Sequence, residues 1–372
     1  MGLHVDSETL LNILLALFSG SILCFISTPI IESFAYKVGA IDVPKDARRV
    51  HTHPIPRLGG LAIFIAFILS VVLFADVNKQ IQGVLFGAVI IVILGAIDDI
   101  VALPAWFKLI FQIVAAVIPV LSGVLVTIVT NFNPFSDVPF LQLGWLSYPV
   151  TILWIVLITN SVNLIDGLDG LAVGVSAIGS LTMFVIALVM GQNNIAVILA
   201  ALVGACIGFM PYNLNPAKIF MGDTGALLLG YILATVSVMG FFKFYAIISF
   251  AVPLLALGFP IFDTIFSIIR RLLKKQNPMT ADRGHFHHRL IDMGLSQKQA
   301  VAILYSISAI LGLAAVVITT SGEMKAIILV FALCLAVAIG IFVMKELRTE
   351  SSPGKTSESE KNDPSDGGEK KE

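Results

Sequence analysis

Ile152-Leu-Trp-Ile-Val-Leu-Ile-Thr-Asn160-Ser-Val-Asn163-Leu-Ile-Asp166-Gly-Leu-Asp169-Gly170-Leu-Ala-Val-Gly174 sets two amides and two carboxylates between runs that are otherwise almost purely apolar. If the second run begins as a helix near this polar knot, Asn163, Asp166 and Asp169 follow at i, i+3 spacing. Their Cβ atoms then lie about 5–6 Å apart on one face. That reach suits a shared cation or phosphate. Capping by Asn and Asp, with glycine permitting the turn, accounts for one or two of the four.

Outward from the knot the apolar runs repeat along the whole chain. Hydrophobic residues make up 57% and charged residues only 13% of the 372 residues, against about 25% charged in soluble domains. At about 20 apolar residues per span, eleven candidate spans centre near residues 20, 67, 89, 118, 154, 180, 202, 232, 254, 309 and 335. The expected fold is an all-α, polytopic integral membrane protein. A membrane domain is expected over residues 1–348, followed by a disordered tail, 349–372, rich in Ser, Glu, Lys and Gly. Asp6 and Glu8 stand where a signal peptide has its basic region, so the first span reads as a true span. Cys24, Cys206 and Cys334 sit inside apolar runs and read as small buried side chains.

With eleven alternating spans, only Lys79, Lys243 and Lys325 of the 23 lysines and arginines fall on one side. The basic side is the cytoplasmic one, which puts the N-terminus outside and the C-terminus inside.

The first cytoplasmic loop carries Arg48, Arg49, His51 and Arg57 among three prolines and a Gly-Gly pair. These cations either set topology against anionic headgroups or bind phosphate. Span 3 ends in Asp98-Asp99, with Lys108 just beyond Pro104. Adjacent acids on a helix diverge by about 100°, so two roles or one broken helix end are expected; a purely structural pairing of one Asp with Lys108 would leave the other unpaired at a membrane edge. The outer loop 131–147 is aromatic and free of Lys and Arg, with no chemistry expected. Span 7 runs into Asn213-Leu-Asn-Pro-Ala-Lys-Ile-Phe-Met-Gly-Asp223-Thr-Gly225. The flanking glycines make Asp223 equally suited to metal or phosphate approach and to an N-cap. Pro253 and Pro260 should kink span 9, and Asp263 is expected to pair with Arg270 or Arg271. Beyond it, Asp282-Arg-Gly-His285-Phe-His287-His288-Arg289 reads as donors to substrate phosphate in preference to metal ligands.

These acids and five of the six histidines belong to cytoplasmic ends and loops, while the span centres are bare. A transporter would carry ionisable residues near mid-membrane. A membrane-edge site of carboxylates, glycine turns and basic loops fits a Mg²⁺-dependent enzyme that joins a soluble anionic substrate to a lipid-borne one.

The motifs Asp98-Asp99, Asn163-Leu-Ile-Asp166-Gly-Leu-Asp169-Gly, Asn213 with Pro216-Ala-Lys-Ile-Phe-Met-Gly-Asp223-Thr-Gly, and His285-Phe-His287-His288-Arg-Leu resemble those of the polyprenyl-phosphate N-acetylhexosamine-1-phosphate transferases. The resemblance covers nearly the whole chain. Ala102 stands where the muramyl-pentapeptide branch has Lys, and Phe286 interrupts its run of histidines. Both departures favour the branch that moves GlcNAc 1-phosphate from UDP-GlcNAc to undecaprenyl phosphate with release of UMP.

The resemblance implies Asp98, Asp99 and Asp223 as catalytic residues, with Asp223 and Asp99 holding Mg²⁺ or Mn²⁺. It implies Asn163, Asp166, Asp169 and Asn213 at the uridine and ribose end. Lys108, His285, His287, His288 and Arg289 would hold phosphates and sugar, joined by Arg48 and His51 of the first loop. The setting implied is the bacterial plasma membrane with the site on its cytoplasmic face. No nucleic acid is expected as a partner, and a homodimer is left open. A phospho-MurNAc-pentapeptide transferase and, more distantly, a transporter are the alternatives.

Overall fold

The computed structural model describes residues 6–43, 54–130, 140–240, 252–273, 285–321 and Lys325. A bilayer interior offers no partner to a free backbone N–H or C=O, so the apolar runs become helices. These are α1 Ser7–Val38, α2 Gly59–Phe74, α3 Lys79–Ile100, α4 Ala105–Leu121, α5 Ser147–Ile165, α6 Leu171–Val189, α7 Asn193–Asn213, α8 Gly222–Gly240, α9 Gly258–Leu273, α10 Phe286–Asp292 and α11 Gln297–Ser321. Two short antiparallel strand pairs and a 3-10 turn at Gly144–Leu146 accompany the helices. β1 (Ile41–Asp42) pairs with β2 (Ile55–Pro56), and β3 (Ile128–Thr130) with β4 (Phe140–Gln142).

Among the described residues seven helices are long and apolar enough to cross a membrane, and α2 and α4 are shorter apolar helices. Nine of the expected span centres fall within these nine helices. The centre near 254 falls in a helical turn, 252–256, interrupted at Leu257 before α9 begins. Pro260 cannot donate to the residue four before it, which accounts for a break there. The span near 335, Cys334 and the expected boundary at residue 348 lie outside the described residues.

α8 is buried along almost its whole length, as befits a helix apolar all round. It packs against both α3 and α5. On the other flank α7 lies against α1 and α6. Gly204 and Gly208 of α7 let it approach α1 closely: a Cβ on either would collide with the carbonyl of Leu17 or of Ser21. This is small-residue packing, which replaces the hydrophobic drive that lipid removes. The outer face of α1 presents Leu10, Leu14, Phe18, Ile22, Ile26 and Ile30, all exposed, a stripe suited to lipid tails. α11 packs on α6, α9 on α5, and α10 on α11.

Because successive helices reverse direction, the ends of α3, α5 and α7 and the starts of α2, α4, α6 and α8 share one end of the bundle. The motif residues occupy those ends.

Candidate active site

Asp98 and Asp99 diverge as the helix geometry requires. Asp98 accepts the backbone N–H of Leu103 at 2.7 Å on Oδ1 and the Lys108 ammonium at 2.9 Å on Oδ2. It thereby folds the Val101–Pro104 connection back and fixes the start of α4. Asp99 turns the other way, into α8. Its Oδ1 accepts the N–H of Asp223 at 2.9 Å, and its Oδ2 accepts the N–H and hydroxyl of Thr224 at 3.0 and 2.6 Å. It is the N-terminal cap of α8, supplied by another helix, and its charge also complements the helix dipole. Gly222, at φ +70°, makes the turn beside it, and a Cβ there would sit on the Asp99 carboxylate.

Asp223 follows, its Oδ2 at 2.9 Å from Lys108 Nζ and its Oδ1 accepting Asn163 Nδ2 at 3.1 Å. Lys108 therefore bridges Asp98 and Asp223 with one ammonium, at side-chain exposures of 23%, 11% and 24%. The cluster is enclosed yet reachable. Below it, Asn160 and Gln112 exchange amide hydrogen bonds at 2.6 and 3.3 Å, and Asn160 also donates to Val156 O. This lock holds α4 beside α5, and Lys108 and Asn163 lie one turn further toward the site. Gln112 is not legible as a site residue, because nothing in its apolar surroundings marks it.

The polar knot is a turn, which corrects the expected i, i+3 face. α5 ends at Ile165, the N–H groups of Asp166 and Gly167 fold back to Asn163 O and Ile165 O, and α6 starts at Leu171 after Gly170 at φ +78°. Asn163 therefore reaches Asp223, whereas Asp169 Oδ2 accepts Asn215 Nδ2 at 2.9 Å and the N–H of Ala217 at 3.1 Å. Asn213 is buried, accepting from Gly170 N and donating to Ile219 O. Asp169 and Asn213 pin the 213–219 segment to the knot, and Asn215 passes the link on to Gln297 at 2.7 Å. Burial, and then the charges of Asp223 and Asp99, push the Asp166 carboxyl up to about 7, with Arg57 opposing.

The histidine motif reaches the knot from the other side. Asp263 does not pair with Arg270 or Arg271 as expected. It accepts His285 Nδ1–H at 2.7 Å and the N–H of Phe286 at 2.8 Å, so it caps α10 and orients the first histidine. Proximity in sequence favoured the arginines, but those side chains face other partners. His287 is buried against Gly167, and neither ring nitrogen has a hydrogen-bond partner. Burial and the neighbouring His288 push its pKa down to about 3. At neutral pH it is an uncharged imidazole, able to offer a substrate one donor and one acceptor. Its ring lies 5.8 Å from that of His285 and 4.3 Å from that of His288. Arg289 lies over the Phe266 ring at 5.4 Å. Arg48, Arg49, His51, Asp282 and Arg283 lie outside the described residues.

Magnesium is commonly held by one or two carboxylates together with substrate phosphates and water. Among the described residues no three His, Cys, Asp or Glu side chains form a metal-holding group, and Asp223 and Asp98 stand as two carboxylates on the one Lys108 ammonium. The Lys108 ammonium already takes a cation's place between them, so the donor set fits a divalent ion at Asp223. Asp99, expected as a second ligand, has both oxygens on the α8 N-terminus.

Residues 81–241 match the model of glycosyl transferase family 4. A protein of Bacillus subtilis (strain 168), named probable undecaprenyl-phosphate N-acetylglucosaminyl 1-phosphate transferase, is 40% identical over 337 residues, covering 89% of this chain and 92% of the relative. The chain belongs to glycosyl transferase family 4. This family 4 chain is also 32% identical to the undecaprenyl-phosphate alpha-N-acetylglucosaminyl 1-phosphate transferase of Thermotoga maritima, over 79% of this chain and 87% of that one. A phospho-N-acetylmuramoyl-pentapeptide-transferase of Staphylococcus saprophyticus is 32% identical over 69% and 83%. As a family 4 member the protein is a phosphoglycosyl transferase and a multi-pass membrane protein.

Proposed function

We propose that this transferase moves GlcNAc 1-phosphate from UDP-GlcNAc to undecaprenyl phosphate, releasing UMP and forming undecaprenyl-diphospho-GlcNAc. The observation that carries the reading is the Lys108 bridge between Asp98 and Asp223, with Asn163 on the second Asp223 oxygen. It gathers oxygen ligands and a cation at the membrane edge, where a soluble diphosphate and a lipid phosphate can meet. The 40% identity to the Bacillus subtilis relative, Ala102 and the interrupted histidine run support GlcNAc over the muramyl pentapeptide.

An oxygen of the lipid phosphate attacks the sugar-proximal phosphorus, a new P–O bond forms, and the bond to the UMP phosphate breaks. The lipid phosphate has a second pKa of about 6, so it is largely dianionic at neutral pH. Asp98, fixed by Leu103 and Lys108, therefore acts as an orienting group more than as a base. Lys108 offsets the charge of two carboxylates where further anions must enter. Asn163 fixes the rotamer of Asp223, and Asp99 fixes the backbone that carries it. A Mg²⁺ or Mn²⁺ ion held by Asp223 would neutralise charge on the diphosphate as UMP leaves. Asp166 and the histidine motif flank the knot, where the nucleotide and sugar would lie.

The excess of cations on one side supports a cytoplasmic site in a bacterial plasma membrane and eleven spans. The lipid product would serve as the first membrane intermediate of teichoic acid or another envelope glycopolymer. Purified protein given labelled UDP-GlcNAc or UDP-MurNAc-pentapeptide, with undecaprenyl phosphate and Mg²⁺, should release UMP only from the first. Asp223→Asn should abolish transfer while leaving the protein level in the membrane unchanged. Release from the muramyl donor alone would overturn the choice of donor.

A further inference from the structure

We propose that Arg57 binds the diphosphate of the nucleotide-sugar donor, an inference that rests on the reading of the donor given above. Arg57 stands between β2 and α2, on backbone tied to the segment that delivers Asp223. Its own N–H donates to Ala40 O at 2.8 Å, and the preceding carbonyl, of Pro56, accepts from Phe220 N at 2.9 Å. Gly59 N and Gly60 N donate to Phe220 O and Met221 O at 3.0 and 2.9 Å. The connection that presents Arg57 and the run into Gly222–Asp223 therefore form one clamped unit.

Between these bonds Leu58 adopts φ +83°, and it is the one non-glycine among the described residues in the left-handed region. Its side chain is 1% exposed. A bulky residue stays in that disfavoured conformation only when its surroundings fix it, and such strain gathers at ligand sites. Here it sets the direction of the neighbouring Arg57.

The guanidinium is incompletely partnered. Its Nε is buried with no hydrogen-bond acceptor, and the carboxylate paired with it, Asp42, is 4.0 Å away, at the outer limit of an ion pair. Lys108, by contrast, already serves two carboxylates. The charge of Arg57 bears on both Asp99 and Asp166, so it stands beside the acidic cluster. Four carboxylates, Asp98, Asp99, Asp166 and Asp223, meet one committed ammonium there, and a diphosphate adds further negative charge. A side chain with five N–H donors in a planar fork, held 36% exposed at that rim, matches phosphate oxygens two at a time.

Steady-state kinetics in detergent on wild type, Arg57→Ala, Arg57→Gln and Arg57→Lys, with donor and lipid phosphate varied separately and with UDP and uridine as inhibitors, tests this. Losing a charge-assisted phosphate contact should raise the donor KM and the UDP inhibition constant roughly 10- to 100-fold. The lipid KM and the uridine constant should stay within about twofold, and Arg57→Lys should recover part of the loss because it keeps the charge without the fork. If Arg57→Ala fails to accumulate, the Gln and Lys variants carry the same comparison. An unchanged UDP constant, an equal loss for uridine, or a rise confined to the lipid KM overturns the assignment. If wild type turns over only another UDP-hexosamine, the donor reading falls while the UDP and uridine comparison still decides Arg57.

Discussion

Asp99 and Thr224 are joined twice through one carboxylate oxygen, which accepts the Thr224 N–H at 3.0 Å and its hydroxyl at 2.6 Å. The contact spans 125 positions of sequence and places a carboxylate at the start of the most enclosed helix. Asp99→Asn keeps the shape but turns one acceptor into a donor facing N–H groups. It should destabilise the protein by about 1–3 kcal/mol, read as a lowered thermal midpoint in detergent. A cap alone should leave the Mg²⁺ half-saturation of residual activity unchanged, whereas a direct ligand would shift it.

Lys108 and a divalent ion are expected to compete for the same carboxylates. Lys108→Gln should lower kcat/KM roughly 10- to 100-fold by removing two charge-assisted contacts. The same change should tighten Mn²⁺ binding, because Asp98 and Asp223 are left without their cation. Titration of free Mn²⁺ by electron paramagnetic resonance checks the second effect, and weaker binding would contradict it.

Asp169 and Asn215 should couple. Each alanine variant removes the 2.9 Å bond between them, so the double variant should lose less stability than the two single losses combined, with an interaction of about 0.5–3 kcal/mol. Thermal midpoints of the four proteins measure it. Strict additivity would show that Asp169 does not act through Asn215, leaving its bond to the Ala217 N–H as its hold on the 213–219 segment.

Two groups make stability depend on pH in opposite senses. Asp166 is raised from 3.8 to about 7, so the native state holds its proton more tightly and stability from this group is lost as pH rises from about 4 through 7. His287 is lowered from 6.5 to about 3, so its contribution is present above 6.5 and lost as pH falls toward 3. Between about pH 4 and 6.5 the two slopes oppose. Relative to wild type, Asp166→Asn should shift the slope of thermal midpoint against pH across that window upward, and His287→Asn should shift it downward.

What the sequence discloses and what it withholds divide along physical lines. Span positions follow from runs of apolar residues, and nine expected centres lie within the described apolar helices. The separate duties of Asp98 and Asp99 follow from helix geometry alone. The pairing of one of these acids with Lys108 was within reach because Asp98 and Lys108 are only 10 positions apart, across one short interhelical connection. The donors to Asp99, the N–H groups of Asp223 and Thr224 and the Thr224 hydroxyl, were not, since they belong to a helix brought alongside by packing. The i, i+3 reading of Asn163, Asp166 and Asp169 failed because a two-glycine turn ends α5 at Ile165, and periodicity cannot locate that end. Asp263 took His285 over the nearer arginines for a similar reason: which face of α9 meets α10 is settled by tertiary contact.

The hydroxyl of Tyr305 donates to Gly170 O at 2.6 Å, and Gln297 holds Asn215. Both side chains come from α11, beyond the 81–241 window that carries the family match. The shape of the knot therefore has authors outside the segment that defines the family. In a chimera that exchanges only residues 81–241 between two members, the transplanted knot would meet a foreign α11, and residues 297 and 305 are the first to carry across with it.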